Sequence, residues 1–98
     1  MERGGCIYIL TNFNNTVLYI GVTSDLYSRI VQHREKKYPQ SFTARYNCNK
    51  LIYYEQFSTI IEAIGREKQL KNWKREWKIK LIQTQNQNWD DLFLSLEV

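Results

Sequence analysis

Five polar side chains stand out as candidates for chemistry: Tyr8, Tyr19, Arg29, His33 and Glu67. Tyr8 and Tyr19 lie in two β-rich runs joined through Asn14-Asn15, a pair that tolerates the positive φ of a tight hairpin turn. A two-residue loop there pairs Tyr8 with Gly21 and sets Tyr19 on the diagonal of the same face. Both phenols then point one way, and Gly21 leaves room beside them. The plain alternative is that they are ordinary strand residues, since Tyr favours strands. Arg29 and His33 are four apart in a helical pattern, so they project from one face a turn apart. That face also carries Leu26 and Ile30, which places the pair at the margin of the buried stripe. Glu67 shares a helical stripe with Ile60, Ile64 and Leu70. A carboxylate aimed at a core needs a partner or a metal, because burying it alone is costly. An intrahelical pair with Lys71 is the simpler account.

The elements that must position these groups follow from periodicity. Ile7 and Ile9 of the first run share a strand face with Leu18, Ile20 and Val22 of the second. Thr23-Ser24-Asp25 offers N-caps for a helix from Leu26 to Lys37, which Pro39 ends. Gln40 to Lys50 reads as a loop holding Phe42, Arg45 and Tyr46. Their aromatic rings can stack on an unpaired base, but packing of the loop on the sheet is the simpler expectation. Leu51 to Phe57 alternates as a third strand. Thr59 with Glu62 looks like a capping box, and a helical period runs from Ile60 to Thr84. That run is long for one helix, so a break is expected near Asn72. A short amphipathic segment, Trp89 to Leu96, closes the chain.

Ninety-eight residues with 43% hydrophobic content suit one modest core and one domain, residues 1–98. No apolar run spans a bilayer, and the N-terminus lacks the order of an export signal, so the expected compartment is cytoplasmic. The two cysteines, Cys6 and Cys48, support neither a disulfide framework nor a thiolate zinc site. Net charge is +4, and seven of the 14 Lys and Arg residues fall between Arg66 and Lys80. Such a dense basic stretch reads as a phosphate-facing surface or as a solvated helix face.

The order Ile7-Tyr8, Tyr19-Ile20-Gly21, Arg29, His33 and Glu67 resembles the GIY-YIG nuclease superfamily. Ser41-Phe-Thr-Ala-Arg-Tyr, Leu51-Ile-Tyr-Tyr-Glu-Gln-Phe and Arg66-Glu-Lys-Gln-Leu-Lys-Asn-Trp look like its small single-domain bacterial branch. The chain departs from the pattern at Cys6, where the first motif usually has glycine. It departs again at Val22, where some members carry Lys or Gln, and at Asn86-Gln87-Asn88-Trp89, where similar proteins read Asn-Pro-x-Trp. Asn86 is taken as the counterpart of the family's distal Asn.

The resemblance implies an α/β (α+β) fold: a three-stranded, mostly antiparallel sheet flanked by helices, in the order β-β-α-β-α-α. It implies a metal-dependent DNA endonuclease with little intrinsic sequence specificity, in a setting such as DNA repair or recombination. Glu67 would be the ligand of one divalent cation, Mg2+ or Mn2+, since a carboxylate is a hard oxygen donor. Arg29 would share charge on the phosphoryl oxygens. Tyr8, Tyr19 or His33 would be the base. A phenol that titrates near 10 needs help from Arg29, the metal or His33. Asn86 completes the implied catalytic set. Arg45, Arg66, Lys68, Lys71, Lys74 and Arg75 are the candidate contacts to nucleic acid, with DNA, branched or otherwise structured, as the partner. No membrane partner is expected. Specificity would come from a protein partner, and the chain would act as a monomer or a weak dimer. The alternative class is a non-catalytic nucleic-acid-binding module that keeps the fold. A third is a protein-interaction domain docking a helix on Trp73 and Trp77.

Overall fold

The computed structural model describes residues 4–96. The N-terminal order weighed above as an export signal begins on residues 1–3, outside the described residues. Three strands form one sheet in the order β2-β1-β3, with both pairings antiparallel. They are β1 (Gly5–Thr11), β2 (Leu18–Thr23) and β3 (Lys50–Phe57). Four α-helices follow the expected order with one addition: α1 (Leu26–Arg34), α2 (Phe42–Arg45), α3 (Ile60–Lys71) and α4 (Arg75–Gln85). A 3-10 turn, Leu92–Ser95, forms within the short amphipathic segment expected at the end of the chain.

Strand alternation sends β1 side chains into two separate cores. Ile7 and Ile9 join Ile20, Ala63, Leu70 and Ile82 beneath α3 and α4. Tyr8 and Leu10 join Ile30 and Leu51 beneath α1, with Tyr19, Leu92 and Phe93 packed around them. The aliphatic face read from the sequence is therefore the face on which α3 and α4 lie. Gly5 allows α3 to approach: a Cβ there would stand 2.7 Å from Ile60 Cα and 2.8 Å from Ala63 Cβ.

The register Tyr8 to Gly21 holds, but the hairpin is longer than the two-residue loop expected. Strand pairing stops at Thr11 and Leu18, and the connection is closed by Asn12. The Asn12 carbonyl accepts from the Asn15 N–H at 3.0 Å, and Oδ1 accepts from the Thr16 and Val17 N–H groups at 2.8 and 3.2 Å. Asn15 takes the left-handed conformation, with φ 57°. The longer loop is symmetric about the same two asparagines, so the register is unchanged.

Helix termini follow their caps more closely than they follow proline. Asp25 caps α1 through the Ser28 N–H at 3.2 Å. The helix ends at Arg34 and not at Lys37. Lys36 turns left-handed at φ 53°, the Lys36 N–H reaches the His33 carbonyl, and the Lys37 N–H reaches the Gln32 carbonyl at 3.0 Å. That is a Schellman ending, complete before Pro39 is reached. Thr59 caps α3 through the Glu62 N–H at 3.2 Å. The break expected near Asn72 is present there, as the C-cap of α3. The basic stretch from Arg66 to Lys80 is consequently shared between two helices and is not one continuous stripe.

The free edge of β3 is covered by side chains. Gln85 bonds both the N–H and the carbonyl of Tyr54, Asn86 donates to the Ile52 carbonyl, and Asp91 accepts from the Leu51 N–H. A covered edge cannot template pairing with another chain. Gly5→Ala is expected to lower stability by about 1–3 kcal/mol through overpacking against Ile60 and Ala63, read as a reduced urea midpoint with unchanged slope.

Candidate active site

Tyr8 carries the centre of the site. Its ring is 2% exposed and runs over Gly21 of the neighbouring strand. A Cβ at Gly21 would fall on Tyr8 Cζ and Oη, so only glycine admits the phenol here. The Tyr8 hydroxyl meets His33 Nε2 at 2.9 Å. Tyr19 stands on the same sheet face, its ring centroid 6.3 Å from that of Tyr8 and 5.8 Å from that of His33. Strand register brings the phenols together, and one turn of α1 brings His33 and Arg29 to them.

Two charged residues act electrostatically on the Tyr8–His33 pair. Arg29 acts on both Tyr8 and His33, and Glu67 acts on Tyr8. Among the described residues the Arg29 guanidinium makes no hydrogen bond or ion pair; only the backbone N–H is engaged, by the Asp25 carbonyl. Burial pushes the Tyr8 phenol well above its usual range, reinforced by Tyr19 and Glu67 and opposed by Arg29. The same burial, with Arg29 second, holds His33 below its ordinary value of 6.5. Both groups are thus neutral at neutral pH.

Glu67 belongs to α3, on the other side of the sheet from the phenols. Along the β2 edge Leu18, Tyr19, Ile20, Phe42, Lys71 and Lys78 line a groove of about 300 Å³. The Glu67 side chain is 16% exposed and pairs with Lys71 Nζ at 3.4 Å. The intrahelical pair weighed for this carboxylate is therefore present, and its charge also acts on the Tyr8 phenol. Such a pair is worth only a few tenths of a kcal/mol, so a divalent cation can displace the ammonium. Among the described residues no three His, Cys, Asp or Glu side chains gather as a ligand set. A cation here would take one carboxylate from the protein and its other ligands from water and substrate oxygens. Mg2+ commonly binds in that way, so the donor set fits.

Other expected site residues have different employment. Asn86 is 6% exposed, and its amide is spent on the backbone. Nδ2 donates to the Ile52 and Asp90 carbonyls at 3.0 and 2.8 Å, and Oδ1 accepts from the Asp90 N–H at 3.0 Å. It latches the chain after α4 onto β3, with both Nδ2 hydrogens used there. Arg66 grips Glu55 through Nε and Nη2 at 3.0 and 3.1 Å and lies over the Trp73 ring at 5.2 Å. That clamp, which the Tyr53 hydroxyl joins at Glu55, ties α3 to β3 and removes Arg66 from the set of free phosphate contacts. Arg75 donates to the Thr16 carbonyl at 3.0 Å, bracing the hairpin loop, and Lys74 lies over Trp77 at 5.7 Å. Lys68 and Arg45 remain exposed, and Lys71 joins the groove.

Thr43 is the site residue that sequence reasoning missed. Its buried hydroxyl meets His33 Nδ1 at 2.8 Å and lies 3.3 Å from Ser41 Oγ. The signal was local: Ser41 caps α2 through the Ala44 N–H, which turns Thr43 inward where a loop was expected.

The sequence model of the GIY-YIG catalytic domain matches residues 4–80. The chain belongs to the GIY-YIG family. That family is one of nucleases, which generally use divalent metals. Among proteins similar to this GIY-YIG domain is a UPF0213 protein of Staphylococcus epidermidis, 32% identical over 77 residues, covering 79% of this chain and 92% of that one. Another is a UPF0213 protein of Syntrophus aciditrophicus, 32% identical over 76 residues and covering 78% and 86% of the two chains. The fold is similar to the solution NMR structure of the UPF0213 protein BH0048 from Bacillus halodurans. The TM-score is 0.57 at 24% identity, over 90% of this chain and 92% of that one. Among the described residues no helix is long and apolar enough to cross a membrane.

Two measurements check the site. In the metal-free protein the His33 ring proton signals should titrate with a midpoint below about 6.5. In Arg29→Gln the midpoint should rise yet stay below that value, because burial is the larger cause. Asn86→Ala should lower stability by about 1–3 kcal/mol while activity per folded molecule is kept.

Proposed function

We propose that this protein is a divalent-metal-dependent DNA endonuclease with little intrinsic sequence preference. The observation that carries the reading is the contact of the Tyr8 hydroxyl with His33 Nε2, with the charges of Arg29 and Glu67 acting on the same phenol. A buried phenol held neutral is not a standing base. It can act as a relay, because a neutral imidazole waits to receive its proton.

In this reading Thr43 accepts the Nδ1–H of His33, which leaves the Nε2 lone pair on Tyr8. As the oxygen of a water forms its bond to phosphorus, the water gives a proton to Tyr8 Oη, and Tyr8 passes its own to His33 Nε2. The P–O bond to the departing sugar oxygen breaks, and that oxygen regains a proton from solvent. Tyr19, half-buried beside Tyr8 and His33, positions the attacking water or the phosphate. Arg29 meets the charge that gathers on the phosphoryl oxygens, where a planar fork suits two oxygens at once. A cation bound at Glu67 would polarise the phosphate and stabilise the leaving oxygen.

Affinity comes from the backbone, through Lys68, Lys71, Lys78 and Arg45. Phosphate contacts position DNA without reading its bases. This suits structured intermediates of repair or recombination, with a protein partner adding further specificity. Arg66 is left out of this contact set because its guanidinium is already used inside the fold.

The test is nicking of supercoiled plasmid with Mg2+ or Mn2+. Glu67→Ala and Tyr8→Phe should each slow cleavage by more than about 100-fold, the scale seen when a group that stabilises transition-state charge is lost. Salt-sensitive binding without cleavage under any divalent cation would instead identify a binding module.

A further inference from the structure

An aromatic surface beside the phenols has no part in the hydrolytic step. Phe42, the first residue of α2, stacks on Tyr19 with ring centroids 6.0 Å apart and planes inclined by 26°. Tyr46, at the end of α2, packs on Phe42 at 4.6 Å. The expected packing of these rings onto the sheet is only half realised: Phe42 is 46% exposed and Tyr46 47%. One turn of helix, held by its Ser41 cap, keeps both rings at the surface.

The surroundings of this ledge are cationic. The groove along the β2 edge begins at Phe42 and Tyr19 and is walled by Lys71 and Lys78. Arg45 projects from α2 between the two rings in sequence and is exposed. Neither Lys78 nor Arg45 has an ion pair among the described residues. An apolar protein segment seated here would strip water from the unpaired Lys78 ammonium and Arg45 guanidinium, which is costly. A nucleobase with its phosphate satisfies both features together: the π-face lies on a ring and the charge on a lysine.

We infer that the Phe42–Tyr46 ledge is a stacking site for an unpaired base of the DNA next to the scissile phosphate. The substrate class is then DNA with unpaired nucleotides at the cleavage position, such as a flap or a gap, in preference to continuous duplex. Bases within a duplex already have both faces covered by neighbours, and a base must leave that stack to use the ledge. The inference rests on the endonuclease reading, because that reading brings phosphate to Tyr19.

The experiment uses the full chain in EDTA, where binding is read without cleavage. The probes are a DNA flap with 2-aminopurine at its first unpaired position and a fully paired duplex of equal length. The flap should bind more tightly, with quenching of the 2-aminopurine fluorescence. Tyr46→Ala and Tyr46→Leu should each weaken flap binding by about tenfold, the range expected for one lost stacked base. Tyr46→Phe should keep it, and duplex binding should stay unchanged in all three. Equal affinity for flap and duplex, or equal loss of both in Tyr46→Ala, would overturn the inference. Flap binding that follows this pattern in a protein unable to cleave under any divalent cation would remove the endonuclease reading and leave the stacking site. Cleavage of duplex and flap at one rate, unaffected by Tyr46→Leu, would remove the stacking site and leave the endonuclease.

Discussion

The contact between the Tyr8 ring and the backbone of Gly21 sets the geometry of everything else in the site. Strand pairing brings these two residues opposite one another, and the missing side chain lets the phenol cross the neighbouring strand toward its outer edge. There the hydroxyl meets His33 from α1, on one side of the sheet, and comes within the field of Glu67 from α3, on the other. A side chain at Gly21 would push the hydroxyl away from both partners. One position without a side chain thus lets groups from opposite faces of the sheet act on a single hydroxyl.

Burial then decides what each group can do. For Tyr8, burial outweighs the help from Arg29, so the phenol keeps its proton at neutral pH. For His33, burial and Arg29 act together against protonation. The outcome is a neutral donor beside a neutral acceptor, which in the proposed reaction favours proton transfer during attack over a base prepared in advance. Thr43 and Ser41 extend this line inward, so the imidazole is held at both nitrogens. A ring fixed at both ends loses less freedom when a substrate arrives.

Local signals in the sequence were read well where a short-range rule governs them. The Asn14-Asn15 centre predicts the register that pairs Tyr8 with Gly21, Asp25 and Thr59 cap the helices expected of them, and Asn72 ends α3. What stayed hidden depends on partners distant in sequence. Arg66 looks like one more cation on a basic helix until Glu55 of β3 is seen in its grip. Asn86 fits a family position, yet its amide closes the β3 edge, and no periodicity reveals an open carbonyl at Ile52. α1 ends before the Lys37 its pattern predicts because Lys36 adopts a left-handed conformation usually left to glycine or asparagine. The small helix α2 escaped because four residues carry too little period to detect, and Thr43 was missed with it.

The central claim is that Glu67 and the Tyr8–His33 pair face one cation-binding cleft around the β2 edge. Paramagnetic broadening by substoichiometric Mn2+, followed residue by residue in NMR spectra of the full chain, tests it most directly. Signals of Tyr8, Tyr19, Gly21, Arg29, His33 and Glu67 should broaden first and together, and Glu67→Ala should abolish the effect. Broadening confined to surface carboxylates such as Glu62 and Glu76, with the Tyr8 and His33 signals left sharp, would contradict the account.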